Sequence, residues 1–144
     1  MDRKYEFLDH TADAKFRAYG KSLEEAFENA AVALENIMFD TEKVEAKLNK
    51  SVEVEAGDLK SLLVAFLSEF VYLLDAEGFI MKKVVSITIN KKGSGYRLAA
   101  IAKGDRYSDK YEHEVLGDVK AVTYAEMEIK EDKGRCWVQV IVDI

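Results

Sequence analysis

The sequence predicts an α+β domain in which two amphipathic helices pack on a mixed, largely antiparallel sheet, and three observations predict it. Two segments repeat apolar residues every three or four positions behind good helix starts. Four later segments, 82–91, 95–103, about 119–130 and 135–143, have strand length and strand composition. Glycine-bearing turns at Gly93 and Gly134 join these strands in pairs, which is the pattern of antiparallel hairpins. At 144 residues the chain is expected to form one domain over 1–144, long enough to bury a core without disulfides.

Each element has a local cause. Ala14, Phe16 and Ala18 alternate with Lys15, Arg17 and Tyr19, the period of a half-buried strand, which Gly20 ends. Ser22 and Glu25 have the spacing of a capping box, and Ala26, Phe27, Ala30, Ala31, Leu34, Ile37 and Met38 then mark one face of a helix. Residues 43–56 read as one or two short strands, with Val52 and Val54 inward and Glu53 and Glu55 outward. Asp58 is placed to cap a second helix with a wide stripe, Leu59, Leu62, Leu63, Phe66, Leu67, Phe70 and Leu74, and Gly78 is placed to end it. Residues 104–118 show no clean period and are expected to form a long exposed loop or irregular edge, of the kind often used for contacts.

Composition excludes several functions. Hydrophobic residues at 49% and charged residues at 33% describe a folded chain. A net charge of −6 and a pI near 5.1 exclude a broad grip on nucleic acid, which needs clustered lysine and arginine, and point to a protein partner or a cation. Cys136, the single cysteine, permits neither an intrachain disulfide nor a thiolate cluster, and its apolar neighbours make it a small buried hydrophobe in a reducing compartment. The charged N-terminus lacks a signal-peptide core and the longest apolar run is too short to span a bilayer, so a cytoplasmic location is expected.

Two clusters can carry chemistry. Asp9-His10-Thr11-Ala12-Asp13 sets two carboxylates and an imidazole in a turn between strand-like segments, although most such turns only bond their own backbone. The other is the end of the last strand, where Asp143 precedes Ile144 and its α-carboxylate, so that two negative groups sit side by side. If the sheet brings Asp13 beside them, three hard oxygen anions converge, a set suited to Ca²⁺, Mg²⁺ or Mn²⁺. Zinc is disfavoured, because His10 and His113 are not at ligand spacing and no cysteine pair supports them. Phosphate-binding glycine loops and a nucleophile elbow are missing, which leaves a nucleotide hydrolase poorly supported. Lys120, where the irregular segment enters a strand, reads first as a solvated edge residue and second as a cation near the carboxylates. His113 reads as a surface residue.

Five blocks in order resemble the archease family: Phe7-Leu8-Asp9-His10-Thr11-Ala12-Asp13 with Ala18 to Phe27; Gly57-Asp58-Leu59-Lys60-Ser61-Leu62-Leu63; Phe66-Leu67-Ser68-Glu69; Val119-Lys120-Ala121-Val122-Thr123-Tyr124; and Val140-Ile141-Val142-Asp143-Ile144. The resemblance implies an accessory protein, not an enzyme, that activates the tRNA-splicing RNA ligase of the RtcB type by promoting guanylylation of the ligase's histidine and so multiple turnover. It implies a divalent metal, Ca²⁺ ahead of Mg²⁺ or Mn²⁺, on Asp13, Asp143 and Ile144, with Asp58 and Lys120 as further functional residues, while His10 stays a candidate from its place in the Asp9–Asp13 cluster. The alternative it leaves open is a chaperone or specificity modulator of a tRNA-modifying enzyme such as a tRNA methyltransferase. One departure is visible: no proline follows His113, where the family often has one.

Overall fold

The computed structural model describes residues 3–9, 13–108 and 113–144. Among them the order is β1 (Tyr5–Leu8), β2 (Ala14–Gly20), α1 (Leu23–Met38), a 3-10 turn (Thr41–Lys43), β3 (Leu48–Ala56), α2 (Leu59–Glu77), β4 (Phe79–Lys92), β5 (Gly95–Arg106), β6 (Ala121–Asp132) and β7 (Arg135–Asp143). This is the α+β class with two helices on antiparallel sheet. In detail the strands divide between a four-stranded sheet, β1-β2-β7-β6, and a three-stranded sheet, β3-β5-β4.

Both helices start where short polar side chains satisfy backbone donors. The Ser22 hydroxyl accepts from the Glu25 N–H at 3.1 Å, and the Glu25 carboxylate accepts from the Lys21 N–H at 2.8 Å, one residue earlier than in an ideal capping box. Asp58 accepts from the Ser61 N–H at 2.8 Å, and this bond first of all holds its carboxyl below the usual range. Gly78 ends α2 with φ 68°, a left-handed conformation that costs an L side chain about 1 kcal/mol.

The apolar stripes of the helices meet the inward faces of the strands in one contiguous core. Phe16 and Ala18 of β2, Val138, Val140 and Val142 of β7, Leu98 and Ala102 of β5, and Phe27, Leu34, Leu63 and Phe66 of the helices are all buried in it. Cys136 is buried there too, as expected, and burial pushes its thiol up.

Three sequence expectations change. The segment before β3 is a 3-10 turn and a link, so strand structure starts at Leu48 and not at 43. β5 runs on to Arg106, because Gly104 allows β4 to come close: a Cβ there would lie 1.9 Å from the Ile80 carbonyl oxygen. Between β5 and β6 the described residues form neither helix nor strand and leave Val115 and Leu116 more than half exposed, the irregular exposed segment that was expected, yet it is anchored at two points. Tyr107 packs on Phe39, and the Leu116 N–H donates to the Met38 carbonyl at 2.7 Å, closing the end of α1. His113 is not a surface side chain, being 2% exposed. Its Nδ1 accepts from the Ser108 N–H at 2.8 Å and its ring stacks on Tyr107, so a local turn folds the imidazole inward.

Candidate metal centre

Strand alternation decides which side chains share the outer face of the four-stranded sheet. Val138, Val140 and Val142 of β7 face the core, so Trp137, Gln139, Ile141 and Asp143 face away from it. Phe16 and Ala18 of β2 face the core, which sends Lys15 and Arg17 outward. β2 and β7 are antiparallel with Ala14 opposite Val142 and Lys15 opposite Ile141. The paired register stops there: Asp13 immediately precedes β2, and Asp143 follows Val142 as the last residue of β7. The start of β2 and the end of β7, far apart in sequence, therefore meet at one end of the sheet.

On the other side of β7, Ala121 of β6 is opposite Asp143, and the Lys120 N–H donates to the Asp143 carbonyl at 2.8 Å. The Asp143 backbone is thus tied to β6 and to the residue before that strand, while its side chain and Ile144 remain exposed. Asp58 is not brought to this end. Leu59 beside it lines a cleft with Cys136, and Cys136 to Asp143 along β7 is about 23 Å at 3.3 Å per residue. His10 lies outside the described residues. Among the described residues no three His, Cys, Asp or Glu side chains gather as a cation cage. The donors fit a hard divalent ion in kind, being carboxylate oxygens at the end of a sheet.

The same outer face holds residues that sequence reasoning passed over. Lys15, with only 16% of its side chain exposed, places Nζ 3.1 Å from Glu126 Oε1. Glu126 stands in an irregularity of β6: Thr123 pairs with Ile141 and Glu128 with Gln139, so four residues of β6 span the place of Val140 alone. Glu126 has φ 51°, the one positive value outside glycine among the described residues. Its carbonyl accepts from Gln139 Nε2 at 2.8 Å, while Gln139 Oε1 accepts from Arg17 Nε at 3.0 Å. The Arg17 guanidinium in turn lies 4.3 Å over the Trp137 ring. One signal was available in advance, a lone glutamine inside the apolar run Trp137–Val142.

Against known proteins, the model of the Archease protein family matches residues 5–144. The chain belongs to the archease family. "Protein archease" of Methanosarcina mazei is 42% identical over 142 residues, covering 99% of this chain and 97% of that protein. The protein of the same name from Pyrobaculum neutrophilum is 45% identical, covering 97% of this chain and 95% of its own length. The solution structure of Methanobacterium thermoautotrophicum protein 1598 is similar at TM-score 0.81 and 38% identity, over 98% of this chain and 99% of that one. The fold and the five sequence blocks thus describe one family. None of the helices among the described residues is long and apolar enough to cross a membrane.

Proposed function

We propose that this member of the archease family is an accessory protein that promotes guanylylation of an RtcB-type tRNA-splicing RNA ligase, and that it does no chemistry of its own. Asp13, Asp143 and the Ile144 carboxylate hold a divalent cation, Ca²⁺ in the first instance, at the exposed end of the four-stranded sheet. When bound, such a cation supplies positive charge for phosphate oxygens or a leaving pyrophosphate. The observation that supports this reading is the register of β2 on β7, which pairs Ala14 with Val142, the immediate neighbours of Asp13 and Asp143. β6 steadies the Asp143 backbone through Lys120, and the Lys120 side chain is left to meet an anionic group of the partner.

The test is a guanylylation assay of the ligase with and without this protein, across Ca²⁺, Mg²⁺ and Mn²⁺. Adding the native chain is expected to raise the number of turnovers, and Asp143→Asn to lower that gain at least ~10-fold, the scale of a lost metal-site carboxylate or its support. One glycine appended after Ile144, which moves the terminal carboxylate, is expected to lower it similarly. Unchanged activation by both variants defeats the proposal.

A further inference from the structure

We propose that Glu126 is a positioning residue of this cation site: its carboxylate draws the Lys15 ammonium away from Asp13 and Asp143 and keeps it from competing with a divalent ion for those two carboxylates. The inference rests on the metal reading above and deepens it.

Lys15 follows Asp13 by two residues in the sequence and sits opposite Ile141, itself two residues before Asp143. A lysine so placed has both carboxylates within reach of its long stem, and an ammonium between them occupies the charge that a cation needs. Its observed partner lies elsewhere, on Glu126 Oε1 at 3.1 Å.

Regular strand geometry does not put Glu126 there. The four-residue excursion of β6 lifts it out of the ladder, and its φ of 51° is a left-handed conformation that is unfavourable for a residue with a Cβ. Such a conformation persists only where the surroundings over-determine it. Here they do: Gln139, 3% exposed, spends one amide hydrogen bond on the Glu126 carbonyl and is itself fixed by Arg17 and approached by Glu128 at 3.3 Å. A buried amide, an arginine and a strained backbone together hold one carboxylate over one lysine next to the site. Within the pair the lysine is the buried partner, with 16% of its side chain exposed against 57% for Glu126.

The test is calorimetric titration of the full chain with Ca²⁺ alone. Glu126→Gln is expected to weaken binding about tenfold, the scale of one redirected charge at a partly buried site. Lys15→Met binds at least as tightly as the native chain. The double variant Lys15→Met with Glu126→Gln returns to within about twofold of Lys15→Met, because without the lysine there is nothing to draw away. Glu126→Gly separates charge from strain: it relieves the positive φ, so Tm does not fall, yet binding weakens as in Glu126→Gln. Native-like binding by Glu126→Gln overturns the proposal, and so does a double variant as weak as Glu126→Gln, which makes Glu126 a direct ligand or a structural part only. Asp143→Asn in the same series tests the underlying reading separately, since undiminished binding there removes the site itself.

Discussion

Gln139 and Glu35 are buried almost equally, at 3% and 1% exposure, and the fold treats them in opposite ways. Gln139, on the outer face of the four-stranded sheet, has both ends of its amide engaged, by Arg17 on the oxygen and by Glu126 and Glu128 on the nitrogen. Glu35, on the face of α1 toward β4, has neither carboxylate oxygen in a hydrogen bond of good geometry. A satisfied amide fixes the shape of its neighbours at little cost, whereas an orphaned carboxylate can only be tolerated protonated. Gln139 therefore fixes polar geometry on the outer face of the four-stranded sheet, whereas Glu35 fixes none beneath α1.

The largest expected effect tests the Glu35 half of that comparison. Burial pushes its carboxyl from 4.5 up to about 8, with the nearby Met81 backbone only partly opposing the shift. The folded chain therefore binds this proton more tightly than the unfolded one, so the contribution of Glu35 to stability is full below pH 4.5. It is lost as pH rises toward 8 and is constant above that. The loss is on the order of 3–5 kcal/mol across the window. Urea unfolding of the native chain and Glu35→Gln between pH 5 and pH 8.5 checks it: the native midpoint is expected to fall steadily, while the variant shows that much less slope. Parallel profiles for the two chains show Glu35 to be ordinary and remove the contrast with Gln139.

A smaller effect is expected from Gln139→Leu, which fills similar space and makes no hydrogen bond. It leaves the Glu126 carbonyl and Arg17 without their shared partner, at about 1–3 kcal/mol for buried groups left unpaired. Stability should fall by that amount in chemical unfolding at pH 7. Ca²⁺ binding should weaken together with it, because the support for Glu126 is gone. A loss of stability with unchanged binding confines Gln139 to a structural role.

How far the sequence revealed this arrangement depended on whether the cause was local. Ser22, Asp58 and Gly78 act within one helical turn, and the structure uses each where its chemistry predicts. The alternation of Ala14 to Tyr19 forecast β2 because one face of that strand is buried. The division into two sheets and the burial of His113 depended on contacts between distant segments, Tyr107 on Phe39 and Leu116 on Met38, to which no periodicity points. At the site, the residue types named Asp13 and Asp143 while only the register of β2 on β7 could bring their neighbours Ala14 and Val142 together. Glu126 was invisible for a stronger reason: nothing in Tyr124-Ala125-Glu126-Met127 predicts a left-handed residue, since glycine and asparagine are the usual occupants.

The smallest effect concerns Asp58, which the same family resemblance links to function but which the fold sets at the opposite end of β7 from Asp143. Its carboxylate accepts from the Ser61 N–H and caps α2, a sufficient use of an aspartate at that position. Asp58→Ala is expected to lower Tm by a few degrees at neutral pH, and Asp58→Asn, which can still cap, to lower it less. Because the cap holds this carboxyl below its usual 3.8, its contribution is present above that pH and is lost as pH falls through the lowered value in the folded chain. The difference in Tm between the native chain and Asp58→Ala should therefore shrink in strong acid. Calorimetric Ca²⁺ binding should be the same in all three chains, since no ligand has moved. If Asp58→Ala instead loses Ca²⁺ while keeping its Tm, the carboxylate serves a cation and not the helix, and the separation of the two ends of β7 is bridged by a rearrangement that the strand register does not contain.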